Sequence, residues 1–164
     1  MNVQIEPMLP EDWEQVRSIY EEGIASGQAT FELEAPPWQR WDAAHHPFGR
    51  LVARCDGRVA GWAALSPVSS RECYRGVAEV SVYVSADYRG RGIGRQLLLA
   101  LVNESERHGI WTPQGATFPE NEASIKLQRG CGFRVIGKRS RIAQHHGLWR
   151  DTILTERRST TLGS

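Results

Sequence analysis

The sequence predicts one mixed α/β domain, in which helices flank a central twisted sheet of parallel and antiparallel strands. The chain has 164 residues, a length that suits one domain with a sizeable apolar core. Segments with the two-residue period of strands alternate with segments of helical period, which favours an α/β or α+β sheet. No internal repeat or linker interrupts this alternation. We therefore expect a single domain over residues 1–157 and a polar tail over residues 158–164, frayed from Arg157 onward.

Turn and capping residues place the predicted elements in order. Pro10 marks the start of a first helix, and Gly23 or Gly27 marks its end. Asp56-Gly57 stands between two apolar runs and is typical of a β-hairpin with a type I′ turn. The predicted strands cover residues 2–8, 51–54, 59–65, 77–84, 111–117, 133–142 and 149–154, and the further predicted helices cover residues 36–44, a segment around 97–105, and residues 121–129.

Composition excludes several classes of protein. The 20 Lys and Arg residues nearly balance 19 Asp and Glu residues, so we expect no basic surface for nucleic acid. The apolar stretches are too short to span a bilayer and the N-terminus lacks a signal-peptide pattern, so we expect no membrane partner and a cytoplasmic location. Cys55, Cys73 and Cys131 show no disulfide or zinc spacing, which fits a reducing compartment.

Two pairs of adjacent histidines, His45-His46 and His145-His146, do not predict a metal site. Neighbouring residues on a strand point to opposite faces, so the two rings of a pair are poorly placed to share a metal. We expect surface or capping roles for them, and no metal cofactor.

The glycines that follow the strand over residues 77–84 carry the clearest chemical signal. Gly90, Gly92 and Gly94 lead directly into a helix, whose first amides lack intrahelical partners and carry the positive end of the helix dipole. Such a turn can hold phosphate groups, although a solvated helix entry is the commoner explanation of glycines alone. Positive charge around the turn comes from three arginines, Arg89, Arg91 and Arg95.

Spacing separates this turn from two other phosphate-binding loops. A nucleoside triphosphatase loop needs Gly-Lys-Ser/Thr at the helix start, where this chain has Gly94-Arg95-Gln96. A dinucleotide fingerprint needs G-x-G-x-x-G after the first strand of a βαβ unit, whereas these glycines are spaced G-x-G-x-G in mid-chain. The first reading is excluded and the second is disfavoured.

The segment around the glycines resembles a known family. Tyr88-Arg-Gly-Arg-Gly-Ile-Gly94 is similar to the R/Q-x-x-G-x-G/A pyrophosphate loop of the GCN5-related N-acetyltransferases, and it follows a strand as it does there. The resemblance covers residues 2–157 and is greatest to the phosphinothricin, methionine sulfoximine and arsinothricin acetyltransferases. The segments that carry it, in chain order, are Ala29-Thr-Phe31, Ala78-Glu-Val-Ser-Val-Tyr-Val84, Phe118-Pro-Glu-Asn-Glu-Ala-Ser124, Asn121-Glu-Ala-Ser-Ile-Lys-Leu-Gln-Arg-Gly-Cys-Gly-Phe133 and Gly147-Leu-Trp-Arg-Asp151.

The resemblance implies that acetyl-CoA lies where two neighbouring parallel strands splay apart. The backbone of residues 82–84 would pair with its pantetheine arm as an added strand, and the glycine turn would hold its pyrophosphate. Asn121 would hydrogen-bond the arm, with N-capping of the next helix as the structural alternative. The implied cofactor-binding residues are Val82, Tyr83, Val84, Arg89, Gly90, Arg91, Gly92, Ile93, Gly94, Arg95, Asn121 and Ser124.

Glu79 is the candidate general base. An amine acceptor is protonated near neutral pH, and a carboxylate of raised pKa can take its proton directly or through a water before the amine attacks the thioester. Strand alternation puts Glu79 on one face with Ser81 and Tyr83. An ion pair with a cross-strand arginine is the structural alternative, and the resemblance favours the base.

The acceptor pocket is expected beside the polar loop over residues 69–75. Arg71 or Arg75 would bind a carboxylate through two hydrogen bonds, while Phe31 and Tyr74 would line the pocket; a solvated loop is the alternative. The implied substrate-binding residues are Phe31, Arg71, Tyr74, Glu79 and Ser81.

Gln128 departs from the pattern of the phosphinothricin acetyltransferases that the chain resembles. Those proteins often carry histidine or another ring at this position. Glutamine cannot act as a general acid or base. Protonation of the departing CoA thiolate therefore falls to Tyr83, Ser124 or water, and the sequence does not choose among them.

These features predict an acetyl-CoA-dependent N-acetyltransferase (EC 2.3.1) that acts on the α-amine of a small amino acid or an antimetabolite analogue by direct transfer. The alternative acceptors are a protein N-terminus, a lysine or a polyamine, and the alternative class is a non-catalytic acyl-CoA-binding module. The resemblance also implies a homodimer.

Overall fold

A computed structural model describes residues 2–163, whose strands form one mixed sheet with helices on both faces. Each predicted strand and helix is present, with ends that differ by a few residues. Within this range, no helix is both long and apolar enough to cross a membrane. The strands are β1 (Val3–Pro7), β2 (Leu51–Cys55), β3 (Arg58–Pro67), β4 (Val77–Val84), β5 (Thr112–Thr117), β6 (Arg134–His145) and β7 (Leu148–Glu156), and the helices are α1 (Trp13–Ser26), α2 (Trp38–Ala44), α3 (Ile93–Arg107) and α4 (Glu122–Gly130).

The strand order is β1-β2-β3-β4-β5-β7-β6. Only one neighbouring pair among residues 2–163 is parallel, β4 and β5, and helix α3 makes the crossover between them. The remaining pairs are antiparallel. Asp56 and Gly57, between β2 and β3, have φ values of 50° and 79°, which confirms the predicted type I′ hairpin.

Alternation along β3 divides the apolar side chains between two cores. Ala63 and Leu65 face α3 and pack with its fully buried Leu97. Trp62 faces the opposite side and packs with α1 and with Trp41 of α2. The sheet is therefore held between α1 and α2 on one face and α3 and α4 on the other, which is the predicted layered fold.

The C-terminal residues are held against β5. The backbone N–H of Arg157 donates to the carbonyl of Pro113 at 2.9 Å, and the N–H of Ser159 donates to the carbonyl of Trp111 at 2.8 Å. The expectation of a tail frayed from Arg157 is wrong, because these polar residues find backbone acceptors that their composition does not reveal.

Candidate active site

The two parallel strands separate in the middle of the sheet. β4 and β5 are paired only at Val77↔Thr112, Ala78↔Pro113 and Glu79↔Gln114. From Gln114 onward β5 pairs with β7 on its other side, while β4 continues to Val84. Beyond Glu79, the edge of β4 that faces β5 has no strand partner among the described residues. Its backbone groups are available to an extended ligand, as the splayed-strand prediction requires.

Glu79 lies at the point where the opening begins. Burial raises the pKa of its carboxyl group, and a hydrogen bond from the Gln114 side chain and the charge of Arg139 offset only part of the rise. A partly buried carboxylate with a raised pKa, beside an opening in the sheet, has the properties of a general base.

The two faces of β4 pack against different parts of the core. Val80, Val82 and Val84 pack against the α3 side of the sheet. The ring of Tyr83 lies on the other face, stacked on Trp62 with ring centroids 4.8 Å apart. Burial raises the pKa of the Tyr83 hydroxyl well above its ordinary value, so this phenol is a poor proton donor.

The glycine turn joins β4 to α3. Gly90 and Gly92 both have φ of 76°, a conformation that glycine adopts without strain, and the positions of an added Cβ on each face open space. The amide of Gln96 is the first in α3 to bond within the helix, to the carbonyl of Gly92, so the preceding amides of the first turn are available. This geometry fits a pyrophosphate group.

The arginines of the turn differ in their surroundings. Arg89, Arg91 and Arg95 are exposed. The guanidinium of Arg91 lies 5.6 Å from the ring centre of Tyr88, and that of Arg95 donates to the carbonyl of Gly130 at 2.9 Å. Arg95 thus ties α3 to the end of α4 while keeping its charge beside the turn.

Asn121 caps α4. Its Oδ1 accepts a hydrogen bond from the backbone N–H of Ser124 at 3.2 Å, and its Nδ2 donates to the carbonyl of Gln28 at 3.1 Å. Asn121 therefore caps the helix, which was the structural alternative to binding the cofactor. A hydrogen bond to the pantetheine arm would be additional to this cap.

The polar loop contains a 3-10 turn over Glu72–Tyr74. The guanidinium of Arg71 lies 5.5 Å from the ring centre of Tyr74, whose side chain is exposed. Arg75 instead lies 5.2 Å from the ring centre of Trp111, beside the start of β5. Arg71 and Arg75 were both predicted as possible ligands of the acceptor carboxylate. Only Arg71 contacts the ring of Tyr74.

Phe31 belongs to an aromatic cluster that the sequence did not predict. Its ring centre lies 4.8 Å from that of Phe118 and 6.0 Å from that of His145. The Arg150 guanidinium lies 3.6 Å from the centre of Phe118 and donates to the carbonyl of Gly27 at 2.8 Å. The cluster joins β5, β6 and β7 to the segment that follows α1.

His145 is buried, with 4% of its surface exposed, so the expected surface role is wrong. Its Nδ1 lies 3.1 Å from Nη1 of Arg150. A guanidinium can only donate, so Nδ1 accepts and the ring proton resides on Nε2, which is buried without a hydrogen-bond partner among residues 2–163. The same range contains no group of three or more His, Cys, Asp and Glu side chains that could hold a metal ion.

Sequence reasoning missed Gln114, Arg139, Phe118 and Arg150. The parallel register of β4 and β5 puts Gln114 opposite Glu79. Arg139 pairs with Thr152 in the β6–β7 hairpin, and its charge reaches Glu79 across the sheet. A correct strand order would have been the only signal for either residue.

Comparison with known proteins gives one family and several relatives. The sequence profile of the acetyltransferase (GNAT) family matches residues 12–133. A phosphinothricin N-acetyltransferase of Alcaligenes faecalis is 34% identical over 156 residues, an alignment that covers 90% of this chain and 78% of that protein. An L-methionine sulfoximine/L-methionine sulfone acetyltransferase of Pseudomonas paraeruginosa is 34% identical over 142 residues and covers 83% of each chain.

A solved structure has the same fold over nearly the full length. It is a GNAT superfamily phosphinothricin acetyltransferase of Sinorhizobium meliloti in complex with AcCoA, 28% identical to this chain. The TM-score is 0.89, and the superposition covers 99% of this chain and 91% of that one. Sequence and fold therefore lead to the same family.

Proposed function

Because this chain belongs to the acetyltransferase (GNAT) family and is therefore an N-acetyltransferase, we propose that it acetylates the α-amine of a small amino acid or an antimetabolite analogue. Phosphinothricin, methionine sulfoximine or sulfone, and arsinothricin are the acceptors of this type. Acetyl-CoA is the acyl donor. The position of Glu79, where β4 and β5 separate, is the single observation that carries the proposal, because it puts a proton acceptor beside the opening.

The donor fits the chain's own residues. Backbone groups of residues 82–84 continue β4 along the opening and would pair with the pantetheine arm, and amides from Gly90 to Arg95 would hold the pyrophosphate. Asn121 and Ser124 lie at the start of α4, and both would contribute to the cofactor site.

The chemistry is a direct transfer. Glu79 takes a proton from the ammonium of the acceptor, and the amine nitrogen then attacks the thioester carbon. An amide of residues 82–84 donates to the carbonyl oxygen as negative charge develops there. The C–S bond breaks, its electron pair stays on sulfur, and the new amide nitrogen loses its second proton to solvent. No acyl group passes through the protein.

The acceptor lies on the Glu79 face of the sheet. Phe31 and Tyr74 line its pocket, Ser81 follows Glu79 on the same face, and Arg71 holds the acceptor carboxylate. Arg139 adds a second positive charge on this side. Two cations favour an acceptor that carries negative charge besides its amine, in contrast to a polyamine.

Two copies of the chain associate through the β6–β7 hairpin. Strand β6 forms one edge of the sheet, and the β6–β7 hairpin carries several exposed apolar side chains, which we call the hairpin patch. Apolar side chains grouped at a sheet edge are typical of a surface that another chain covers. The members of the hairpin patch are Val135, Ile136, Ile142, Leu148 and Trp149, each with 39% or more of its surface exposed.

Cys55, Cys73 and Cys131 are free thiols, in keeping with a cytoplasmic location.

Release of free thiol from acetyl-CoA, followed with a panel of amines, tests the acceptor. The panel contains phosphinothricin, methionine sulfoximine, arsinothricin, unmodified amino acids, an alanine-initiated peptide, a lysine peptide and spermidine. We expect turnover with the anionic amino acids. Turnover confined to the peptides or spermidine would replace the proposed acceptor, and tight CoA binding without any turnover would favour a binding module.

Replacement of Glu79 by glutamine tests the base. We expect kcat/KM to fall by about 100-fold, the lower end for a positioned proton acceptor, with acetyl-CoA affinity unchanged. The exposed carboxylate of Glu14 in α1 gives the matched control, Glu14→Gln, which should retain full activity. A Glu79→Gln enzyme with the pH–rate profile of the wild type would remove Glu79 from this role.

A further inference from the structure

The buried side chain of Gln128 connects α4 to β5 and β7. It has 6% of its surface exposed and uses both ends of its amide. Nε2 donates to Oγ1 of Thr117 at 2.9 Å and to Oγ of Ser124 at 3.1 Å. Oε1 accepts a short hydrogen bond from the hydroxyl of Thr155. A glutamine amide has two hydrogens to give, and both are committed.

The orientation of this amide is set by Gly115. A Cβ added to Gly115 would lie 2.5 Å from Oε1 of Gln128 and 2.8 Å from Oγ1 of Thr155. The oxygen of Gln128 therefore rests against the Cα of Gly115, where a C–H···O contact is favourable and an NH2 group would be repelled. The nitrogen must face Thr117 and Ser124.

This orientation leaves two hydroxyl protons available. Thr117 and Ser124 accept from Nε2 through their oxygens, and neither hydroxyl donates to an acceptor within residues 2–163. A hydroxyl whose oxygen already accepts a hydrogen bond is polarised and becomes a better donor.

Both hydroxyls belong to elements next to the opening between β4 and β5. Thr117 is the last residue of β5, and Ser124 is in the first turn of α4. One turn further on, Leu127 packs in the same cluster as Val80 and Val82 of β4. Thr117 and Gly115 alternate with Gln114, so the hydroxyl pair is on the side of the sheet opposite Glu79.

We propose that Gln128 is a positioning residue, which turns the hydroxyl protons of Ser124 and Thr117 toward the opening, where they donate hydrogen bonds to the sulfur of CoA as it leaves. This inference rests on the proposed function. A thioester sulfur accepts hydrogen bonds weakly and a thiolate accepts them strongly, so the interaction grows as the C–S bond breaks. The hydroxyls keep their protons, the electron pair of the broken bond stays on sulfur, and solvent protonates the thiolate after release.

The experiment titrates CoA bound to the protein, using the ultraviolet absorbance of its thiolate. We expect the pKa of the bound thiol to lie about one unit below that of free CoA, since hydrogen bonds to an ion are among the stronger ones. Ser124→Ala and Thr117→Val should each raise the pKa of the bound thiol part of the way back to that of free CoA. Gln128→Leu should raise it all the way, because both hydroxyls are then free to turn away. Thr117→Ser and Ser124→Thr keep a hydroxyl and should keep the shift.

Ser105→Ala is the matched control, because Ser105 is a buried helical serine whose proton is already donated to the carbonyl of Val102 at 2.7 Å. We expect no change in the bound thiol with this variant. In turnover assays, Ser124→Ala should lower kcat by about tenfold while KM for acetyl-CoA changes little.

An unchanged thiol pKa in Ser124→Ala and Thr117→Val, with CoA still bound and the fold intact by circular dichroism, would overturn the inference. An active wild-type enzyme with that result would leave the proposed function standing. A lowered thiol pKa that Gln128→Leu abolishes, in a protein that acetylates no acceptor, would support the hydrogen bonds to bound CoA, but it would refute the proposed function and with it a role for these bonds in transfer.

Discussion

Glu79 combines two opposing influences on one carboxylate. Burial raises its pKa, while the Gln114 hydrogen bond and the charge of Arg139 lower it. A carboxylate with a raised pKa is a stronger base than an ordinary one, as the proposed removal of a proton from an ammonium requires. In this proposed role the ionised form is the active one, so activity should rise with pH through the pKa of Glu79 and then level off.

Replacement of Arg139 by glutamine should move this rise to higher pH. Loss of the cation makes ionisation of Glu79 less favourable, so its pKa increases. The pH dependence of kcat/KM measures the change. Arg134→Gln, which removes an exposed cation of the same strand, is the control, and equal profiles for both variants would show that Arg139 does not act on Glu79.

The glycine turn has a backbone conformation that suits the proposed phosphate site. Three residues of a 3-10 turn, Ala86–Tyr88, reverse the chain after β4, and Gly92 then adopts a left-handed conformation as the N-cap of α3. A side chain at Gly92 would add strain and bulk at this proposed site.

Gly92→Ala should therefore weaken both the fold and the binding of acetyl-CoA. The left-handed conformation costs a non-glycine residue roughly 1 kcal/mol in stability. Gly57→Ala, at φ of 79° in the β2–β3 turn, imposes similar strain far from the opening. We expect similar losses in urea denaturation for the two variants, but a dissociation constant for acetyl-CoA raised about tenfold only in Gly92→Ala. Equal affinities would argue against the turn as the phosphate site.

The start of α1 is held to the sheet by a buried ion pair. Arg54 of β2 bonds Asp12 at 2.9 Å and Glu6 of β1 at 2.8 Å. Although burial opposes it, the hydrogen bonds from Arg54 and from the Leu9 amide lower the pKa of Asp12 below its ordinary value of 3.8. A lowered pKa stabilises the fold at pH values above 3.8, and this contribution is lost as the pH falls through the pKa of the folded state.

Asp12→Ala should cost about 2–3 kcal/mol in the free energy of unfolding at pH 7, because it leaves Arg54 partly unpaired. The loss, measured by urea denaturation, should shrink as the pH is lowered below 3.8. Asp42→Ala breaks a more exposed pair with Arg50 and should cost less than about 1 kcal/mol. Equal costs for the two variants would contradict the structural role given to Asp12.

At the scale of the whole molecule, the sheet separates the two proposed roles. Glu79 shares the α1 side with Tyr83, while Ser124 and Thr117 contact Gln128 of α4 on the other side. The proposed removal of a proton from the acceptor and the proposed hydrogen bonds to the leaving sulfur therefore come from opposite sides of the sheet.

The proposed association through the hairpin patch is tested at the scale of the whole molecule. Trp149→Glu puts a charge on its largest side chain, which is 59% exposed, and should convert a dimer into monomers. Light scattering after size-exclusion chromatography measures the mass. Leu33→Glu changes an equally exposed apolar residue outside the hairpin patch and should leave the mass unaltered. A monomeric wild-type protein at micromolar concentration would refute the proposed dimer.

The sequence by itself determined the features that depend on neighbours along the chain. Strand and helix periods, the Asp56-Gly57 turn and the glycine turn are local, so residue type and spacing were enough to predict them. The alternation that separates Glu79 from Val80 follows in the same way.

Only the tertiary structure decided which distant residues meet. The pairing of β5 with β7 opens the sheet at Glu79 and brings Gln114 opposite it. Gln128, seen in the sequence only as a missing ring, gains its partners Thr117 and Thr155 from two different strands. His145 is buried because Arg150 and the aromatic cluster surround it, and such contacts between segments far apart in the chain leave no periodic signal in the sequence.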